Sequence, residues 1–400
     1  MTVSRDGWVP AAVAGFVCVL VGITSSYALV VETARAIELG PQALATLSAA
    51  LLLAIGLTCL IPSIVLRIPV VIAWSTPGAA LLATSLQGVP LAEALGAFVV
   101  CGLLLTLAGI TGWFARWMQR IPAALAAALL AGVLLRFGLE SFASVQTAPM
   151  MAGSMLAVFL VARRVIARWA VPLTLVAGLL AWPLAQGEQA ALALSALRMG
   201  LGGDWPAMAP LAWPVAFSLP TVLGVAVPLF IVTMASQNLP GVAVLRAHGY
   251  DSAPVSALLT ITGVVTAVLA PLGVFAINLA AITAALCMSP DIHRDPARRW
   301  TAAAAAGVLY LVAAVFAAPL SAFFLAMPRE LVITIAGLAL LPTIGRGLAS
   351  ALEQEPTRDA ALVTFLVCAS GLQIAGVGSA FWAVMAGLAC HVVWRSPARS

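Results

Sequence analysis

Val70-Val71-Ile72-Ala73-Trp74-Ser75-Thr76-Pro77-Gly78-Ala79-Ala80-Leu81-Leu82 reads as an extended run, a helix cap and the start of a helix. The β-branched residues favour extended backbone, Ser75 is a strong N-cap, and Pro77 falls where an early helical position tolerates proline. A second stretch, Gly273-Val274-Phe275-Ala276-Ile277-Asn278-Leu279-Ala280-Ala281-Ile282-Thr283-Ala284-Ala285-Leu286, has the same order in the second half of the chain. Aligning Ala73 with Ala276 sets Ser75 opposite Asn278. Both stretches lie in apolar surroundings, so both read as broken helices at membrane depth. Irregular backbone survives there only where it is buried in protein or lines a cavity. A matched pair of such breaks in the two halves of a chain is a sequence pointer to a transporter binding site.

The composition agrees. The chain of 400 residues is 63% hydrophobic and 8% charged, with a mean hydropathy of +1.11. Apolar stretches of about 20 residues, enough to cross a bilayer, recur along its length. An all-α, multi-pass membrane protein without a separate soluble domain follows, its first apolar run a retained helix rather than a cleaved leader. All 19 basic residues are arginine; without lysine there is no Walker A loop and no ATP-driven pump. The net charge of +5 sits at the ends of the spans, which speaks for topology and a lipid bilayer as partner, not for nucleic acid. The six cysteines lie inside spans with no CxxC pair and read as packing residues, with no disulfide, metal or cofactor.

About fourteen segments are expected, near 9–31, 42–66, 70–87, 91–113, 120–141, 147–165, 169–187, 214–238, 254–270, 273–289, 298–318, 328–348, 358–374 and 378–395. Seven is odd, so two repeats of seven must be inverted relative to one another. Leu130-Ala131-Gly132-Val133-Leu134-Leu135 in the fifth segment echoes Ile335-Ala336-Gly337-Leu338-Ala339-Leu340 in the twelfth. With the N-terminus in the cytoplasm, Arg35, Arg136, Arg198 and Arg329 fall outside and the other fifteen arginines inside. The positive-inside rule therefore puts both termini in the cytoplasm. Segment three then enters from the cytoplasm as extended chain and segment ten from outside. Their helix N-termini meet at the midplane, each with unsatisfied N–H groups and about half a positive charge. Two such ends make an anion site without buried lysine or arginine.

Ile72 to Leu82 also resembles the signature of the bacterial benzoate:proton symporter family, the benzoate membrane transport proteins, as does Gly22-Ile23-Thr24-Ser25-Ser26-Tyr27-Ala28 in the first segment. Length, motif position and span count match over nearly the whole chain. The resemblance implies the seven-plus-seven inverted fold of nucleobase/ascorbate transporters and sulfate-type anion exchangers. Its core domain would be 1–118 and 214–322 (segments 1–4 and 8–11), its gate domain 119–190 and 323–400 (segments 5–7 and 12–14), with a linker over 191–213. It implies import of benzoate with protons across the bacterial inner membrane; relatives of this fold often form a homodimer through the gate. The nucleobase relatives carry acidic residues in segments eight and ten. Here those segments offer Ser236-Gln237-Asn238 and Asn278, which suits an anionic substrate.

Each candidate residue has two readings. Ser75 and Thr76 either bind the carboxylate or only cap a helix, and Asn278 is read as their mirror. Trp74 and Tyr27 are either aromatic walls for a ring or ordinary packed aromatics; the Tyr27 hydroxyl is a further donor to a carboxylate. Gln237 and Asn238 either contact substrate or join helices. Ser25, with Thr24 and Ser26, either reaches substrate or bonds its own helix backbone. For proton coupling the titratable groups in or near spans are Glu32, Glu38, Glu93, Glu140 and three histidines. Glu32 is read as an outer acceptor. Glu140, four residues after Arg136, is read as a coupling group or as half of a helix-surface pair. A proton carried by the substrate carboxyl itself, or by water, is also open. Runs of small residues, Ala123 to Ala131 and Ala302 to Gly307, are expected to give the gate close helix contacts. The function these readings converge on is a secondary active symporter for benzoate by alternating access. The rivals are another solute on the same fold (a nucleobase or inorganic anion) and an anion channel; no cluster with metal or nucleophile spacing supports an enzyme.

Overall fold

The computed structural model describes residues 8–112, 123–166, 169–185, 187, 212–289, 292–374 and 379–394; of Ser25, Ala123, Ala243, Ala247 and Ile282 only the backbone is described. The expected linker over 191–213 lies outside these residues except for its last two. The expected boundaries at 118 and 190 lie outside them too, as do Arg5, Arg116, Arg120, Arg168, Arg198, Arg395 and Arg399.

The first half holds α1 (Trp8–Ala36), α2 (Pro41–Leu66), β1 (Ile72–Trp74), α3 (Thr76–Ser85), α4 (Leu91–Thr111), α5 (Ala123–Thr147), α6 (Pro149–Val165) and α7 (Ala170–Ala185). The second holds α8 (Leu219–Arg246), then α9 (Val255–Leu269), β2 (Ile277–Leu279), α10 (Ile282–Cys287), α11 (Trp300–Val315), α12 (Ala317–Ala326), α13 (Arg329–Leu352), α14 (Glu355–Ala369) and α15 (Ser379–Val393). Among the described residues seven helices are individually long and apolar enough to cross a membrane: α1, α2, α4, α5, α8, α9 with its closing turn, and α13. The pair α11–α12 makes an eighth if taken together.

Two segments depart from expectation at prolines. The eighth does not stop near Asn238 but continues to Arg246. Pro228 and Pro240 have no N–H for the helix ladder, and their rings crowd the carbonyl four residues back. Each is preceded by a π-helical turn, Val222–Ala226 and Met234–Asn238, after which Val227 N–H bonds Val222 O and Leu239 N–H bonds Met234 O. The wider turn admits the proline without ending the helix. The eleventh segment, expected as one span over 298–318, bends by 71° between α11 and α12. Pro319 in the first turn of α12 cannot donate to Val315. The second arm therefore runs to Ala326, past the expected boundary at 322.

The packing falls into two sets. In one, α4 lies against α9, α2 against α11 and α12, and α1 against α3, α10 and α11; in the other, α5 lies against α13 and α14, α6 against α7, and α14 against α15. The sets touch where α1 meets α7 and α13, and where α5 meets α3 and the Met234–Asn238 turn. The run Ala302 to Gly307, expected to give close helix contacts, packs within the first set. A Cβ on Gly15 of α1 would stand 2.7 Å from Ala306 N.

Two helix crossings in the first set are reciprocal glycine contacts. A Cβ on Gly102 of α4 would come within 2.8 Å of Gly263 O on α9, and one on Gly263 within 2.8 Å of Gly102 O. Gly56 of α2 and Gly307 of α11 meet in the same way, at 3.0 and 2.9 Å from each other's carbonyls. Small residues let backbones approach this closely where lipid supplies no hydrophobic drive between helices. Because backbone, not a flexible side chain, blocks a Cβ there, Gly263→Val should cost at least the roughly 1–3 kcal/mol of an overpacked core. It should lower the unfolding temperature of the detergent-purified protein by several degrees. Gly40→Ala, with nothing within 4 Å, should leave it unchanged.

Candidate functional site

The two broken segments meet. β1 and β2 pair antiparallel, with Ile72 opposite Leu279, Ala73 opposite Asn278 and Trp74 opposite Ile277. Ser75 N–H donates to Ala276 O and Ala280 N–H to Val71 O, both at 2.9 Å. The outer edges of this two-stranded ladder are closed by side chains. Ser63 Oγ lies 3.1 Å from both N and O of Val70. The Cys59 thiol accepts from Ile72 N–H at 3.1 Å and donates to its carbonyl at 3.3 Å. Thr266 Oγ1 accepts from Ile277 N–H at 3.3 Å, and Asn238 Oδ1 from Leu279 N–H at 3.1 Å. At membrane depth no water does this work, and each unmet group costs several kcal/mol.

In this antiparallel register Ser75 stands opposite Ala276, while Ala73 and Asn278 face each other at the centre of the ladder. The two strands begin 205 residues apart, at Ile72 and Ile277, so the repeat counterpart of Ser75 is Ala280 and not Asn278. Offsets of 203 and 205 keep the same alternation of faces, so alternating apolar residues could not tell them apart. Asn278 is therefore a strand residue, not a helix cap. The cap of α10 is Ala281, without a side-chain bond, whereas Ser75 Oγ caps α3 by accepting from Gly78 N–H at 2.9 Å.

Ser75 is fully buried and its oxygen also accepts from the Thr233 hydroxyl at 3.3 Å. Ala79 N–H bonds Ser75 O at 2.7 Å and Pro77 has no N–H. Thr76, half-buried, thus keeps its N–H and hydroxyl without a partner among the described residues. Trp74 is buried and donates from Nε1 to Ser26 Oγ at 3.0 Å. Tyr27 stands edge-on to it, with ring centroids 6.2 Å apart, and edge-on to Phe324 at 4.8 Å. The two rings pack on one another, and the Tyr27 hydroxyl is not open to a solute. It bonds Ser48 Oγ at 2.6 Å and Ser321 Oγ at 2.8 Å. Thr24 returns its hydroxyl to Leu20 O, and the Ser25 side chain lies outside the described residues.

Asn238 is also committed. Its Nδ2 donates to Asn278 Oδ1 at 2.9 Å and to Met234 Sδ at 3.2 Å, while its Oδ1 holds Leu279. Asn278 donates to Ala276 O at 2.7 Å, which leaves it one amide hydrogen. Ser236 bonds Val232 O. Gln237, in the same π-turn, is half-buried, and its side chain has no hydrogen bond among the described residues.

The carboxylates sit apart from this centre. Glu32 pairs with Arg35 at 2.6 Å and Glu140 with Arg136 at 2.7 Å; the second is the i,i+4 pair that the spacing suggests. Glu93 on α4 accepts hydroxyl bonds from Ser218 and Thr221, tying α4 to the start of α8. Among the described residues no group of histidine, cysteine and carboxylate side chains could hold a metal. Sequence reasoning missed Trp182 Nε1 and Thr334 Oγ1, both buried and, among the described residues, without a partner, on the packed helices α7 and α13. A single hydroxyl or indole in an apolar span gives no pattern to find.

The profile of the family described as BenE, Benzoate membrane transport protein, matches residues 6–393. Inner membrane protein YdcO of Escherichia coli strain K12 is 46% identical over 384 residues, 96% of this chain and 95% of that protein. The Benzoate membrane transport protein of Acinetobacter baylyi is 32% identical over 399 residues, 100% of this chain and 98% of that protein. Among solved structures, SLC26A9 superposes with a TM-score of 0.59 at 12% identity, over 96% of this chain and 65% of that one, which is a likeness of fold. The family is one of transporters, not enzymes, and with a family profile and two relatives spanning nearly its whole length, the chain belongs to the benzoate membrane transport protein family.

Proposed function

We propose that this protein imports benzoate together with a proton across the bacterial inner membrane by alternating access. The observation that carries the reading is the start of α3. A capped ten-residue helix presents the spare Thr76 donors beside Trp74, and the Gln237 side chain, unpartnered among the described residues, stands on the π-turn that packs against β2. A helix N-terminus attracts a carboxylate, a ring stacks on an indole, and no carboxylate among the described residues stands there to repel the anion. Family membership and the named activity of the Acinetobacter relative support benzoate as the solute.

In this reading Thr76 and Gln237 bind the carboxylate, Ser75 holds the helix start, and Trp74 with Tyr27 forms the ring wall. Asn238 and Asn278 shape the site from behind. The expected symmetry of two helix ends is unequal, because α10 has only six residues and no side-chain cap. The fourteen-segment count is supported by matched positions: β1 and β2, Gly102 and Gly307, and Gly132 and Gly337 are each 205 residues apart. The first packing set would be the core that carries solute and the second the gate. Glu32, 14% exposed in its side chain against 33% for Glu140, is the carboxylate we place on the proton path, near the outer end of α1.

Purified protein in proteoliposomes should accumulate labelled benzoate saturably under an inward proton gradient. Excess benzoate should compete; nucleobases or inorganic anions should not. Accumulation of one of those solutes instead, or large unsaturable currents, would overturn the reading. Ser75→Ala should raise KM about five-fold, since a lost N-cap costs ~1 kcal/mol, and Gln237→Leu should raise it at least as much. Glu140→Gln should leave gradient-driven uptake intact, because an exposed i,i+4 pair is worth about 0.3–0.5 kcal/mol. Glu32→Gln should still exchange benzoate but no longer concentrate it.

A further inference from the structure

We infer that Cys59 and Thr266 are equivalent positioning residues, which set the depth of the two broken strands and so of the half-helices that follow them. Each stands three residues after a crossing glycine, in Gly56-Leu57-Thr58-Cys59 on α2 and Gly263-Val264-Val265-Thr266 on α9. The glycine brings its helix against the partner helix, α11 for Gly56 and α4 for Gly263. One helical turn on, the small polar side chain reaches the strand of its own half. Cys59 bonds Ile72 and Thr266 bonds Ile277. Ile72 and Ile277 both lead their strands, so the two contacts occupy matching places about the Ala73–Asn278 pair.

Both side chains are fully buried, and neither touches the spare donors of Thr76 or Gln237. Their effect passes through backbone. If the Ile72 amide loses its acceptor, the strand has no water to turn to, and relief comes only by moving β1, with Ser75 and Thr76 two and three residues further on. The sequence hid this because a cysteine and a threonine do not look alike. As an acceptor for an amide the thiol takes the place of the hydroxyl, more weakly.

The test compares Cys59→Val with Cys59→Thr. The two replacements have nearly the same shape, so crowding is common to both and only the hydroxyl differs. In the detergent-purified full chain, hydrogen exchange read by mass spectrometry should quicken in the peptide covering 70–76 for Cys59→Val and stay near wild type for Cys59→Thr. Thr266→Val against Thr266→Ser should do the same for the peptide covering 275–281. In proteoliposomes Cys59→Val should raise the KM for benzoate by roughly 2- to 10-fold, the scale of one lost hydrogen bond, at unchanged Vmax per folded transporter, and Cys59→Thr should restore it. Equal exchange and equal KM for Cys59→Val and Cys59→Thr would overturn the inference. Should either variant fail to purify as a single species, Cys59→Ala against Cys59→Ser is read by the same criteria. The kinetic arm rests on the benzoate activity proposed above and the exchange arm does not. A wild-type protein that carries no benzoate would therefore sink the first reading alone.

Discussion

Unpaired backbone cannot be left in the middle of a membrane, and the central part of this molecule is arranged around that constraint. Breaking a helix to expose its N-terminus frees amides and carbonyls on the strand before it. Here the two breaks satisfy one another along the facing edges of β1 and β2. The outer edges are met by four side chains from the helices alongside: Ser63, Cys59, Thr266 and Asn238. Neither break could exist alone, so the two halves of the chain are obliged to meet at this point.

That arrangement separates groups that hold the centre from groups left over. Buried amides and hydroxyls look like a binding site when read in sequence, yet most are already bonded. Asn238 clasps β2 and Asn278; Tyr27 is anchored to Ser48 and Ser321; Ser75 serves α3. Among the described residues around β1 and β2, Thr76, Gln237 and one amide hydrogen of Asn278 remain. In the proposed site the surrounding side chains spend their hydrogen bonds on backbone, so they have lost rotamer freedom before any solute arrives.

The helices around the crossing are positioned by the absence of side chains and by local irregularity. At Gly102–Gly263 and Gly56–Gly307 backbone nearly touches backbone. In α8 two π-turns absorb Pro228 and Pro240 and carry the helix through to Arg246. The second of these turns holds Ser236, Gln237 and Asn238, so the device that accommodates a proline also orients the polar residues of the eighth segment.

Much of this was legible in the residues alone. Apolar runs long enough to span a bilayer announce a helical membrane protein. Ser75 before Thr76-Pro77 announces a capped helix after an extended stretch, and Arg136 with Glu140 announces a pair on one helix face. These are local properties, fixed by spacing along one segment. The register of β1 on β2, the bend at Phe316 and the continuation of α8 through Pro240 were not legible. Each depends on a partner far away in the chain or on a choice between two local geometries that the same residues permit. The same holds for function at single residues. The sequence determined which polar groups lie at membrane depth. Only the tertiary structure decided which of them are already bonded and which are free for a solute, because hydrogen-bond partners are chosen by proximity in space and not by proximity in the chain.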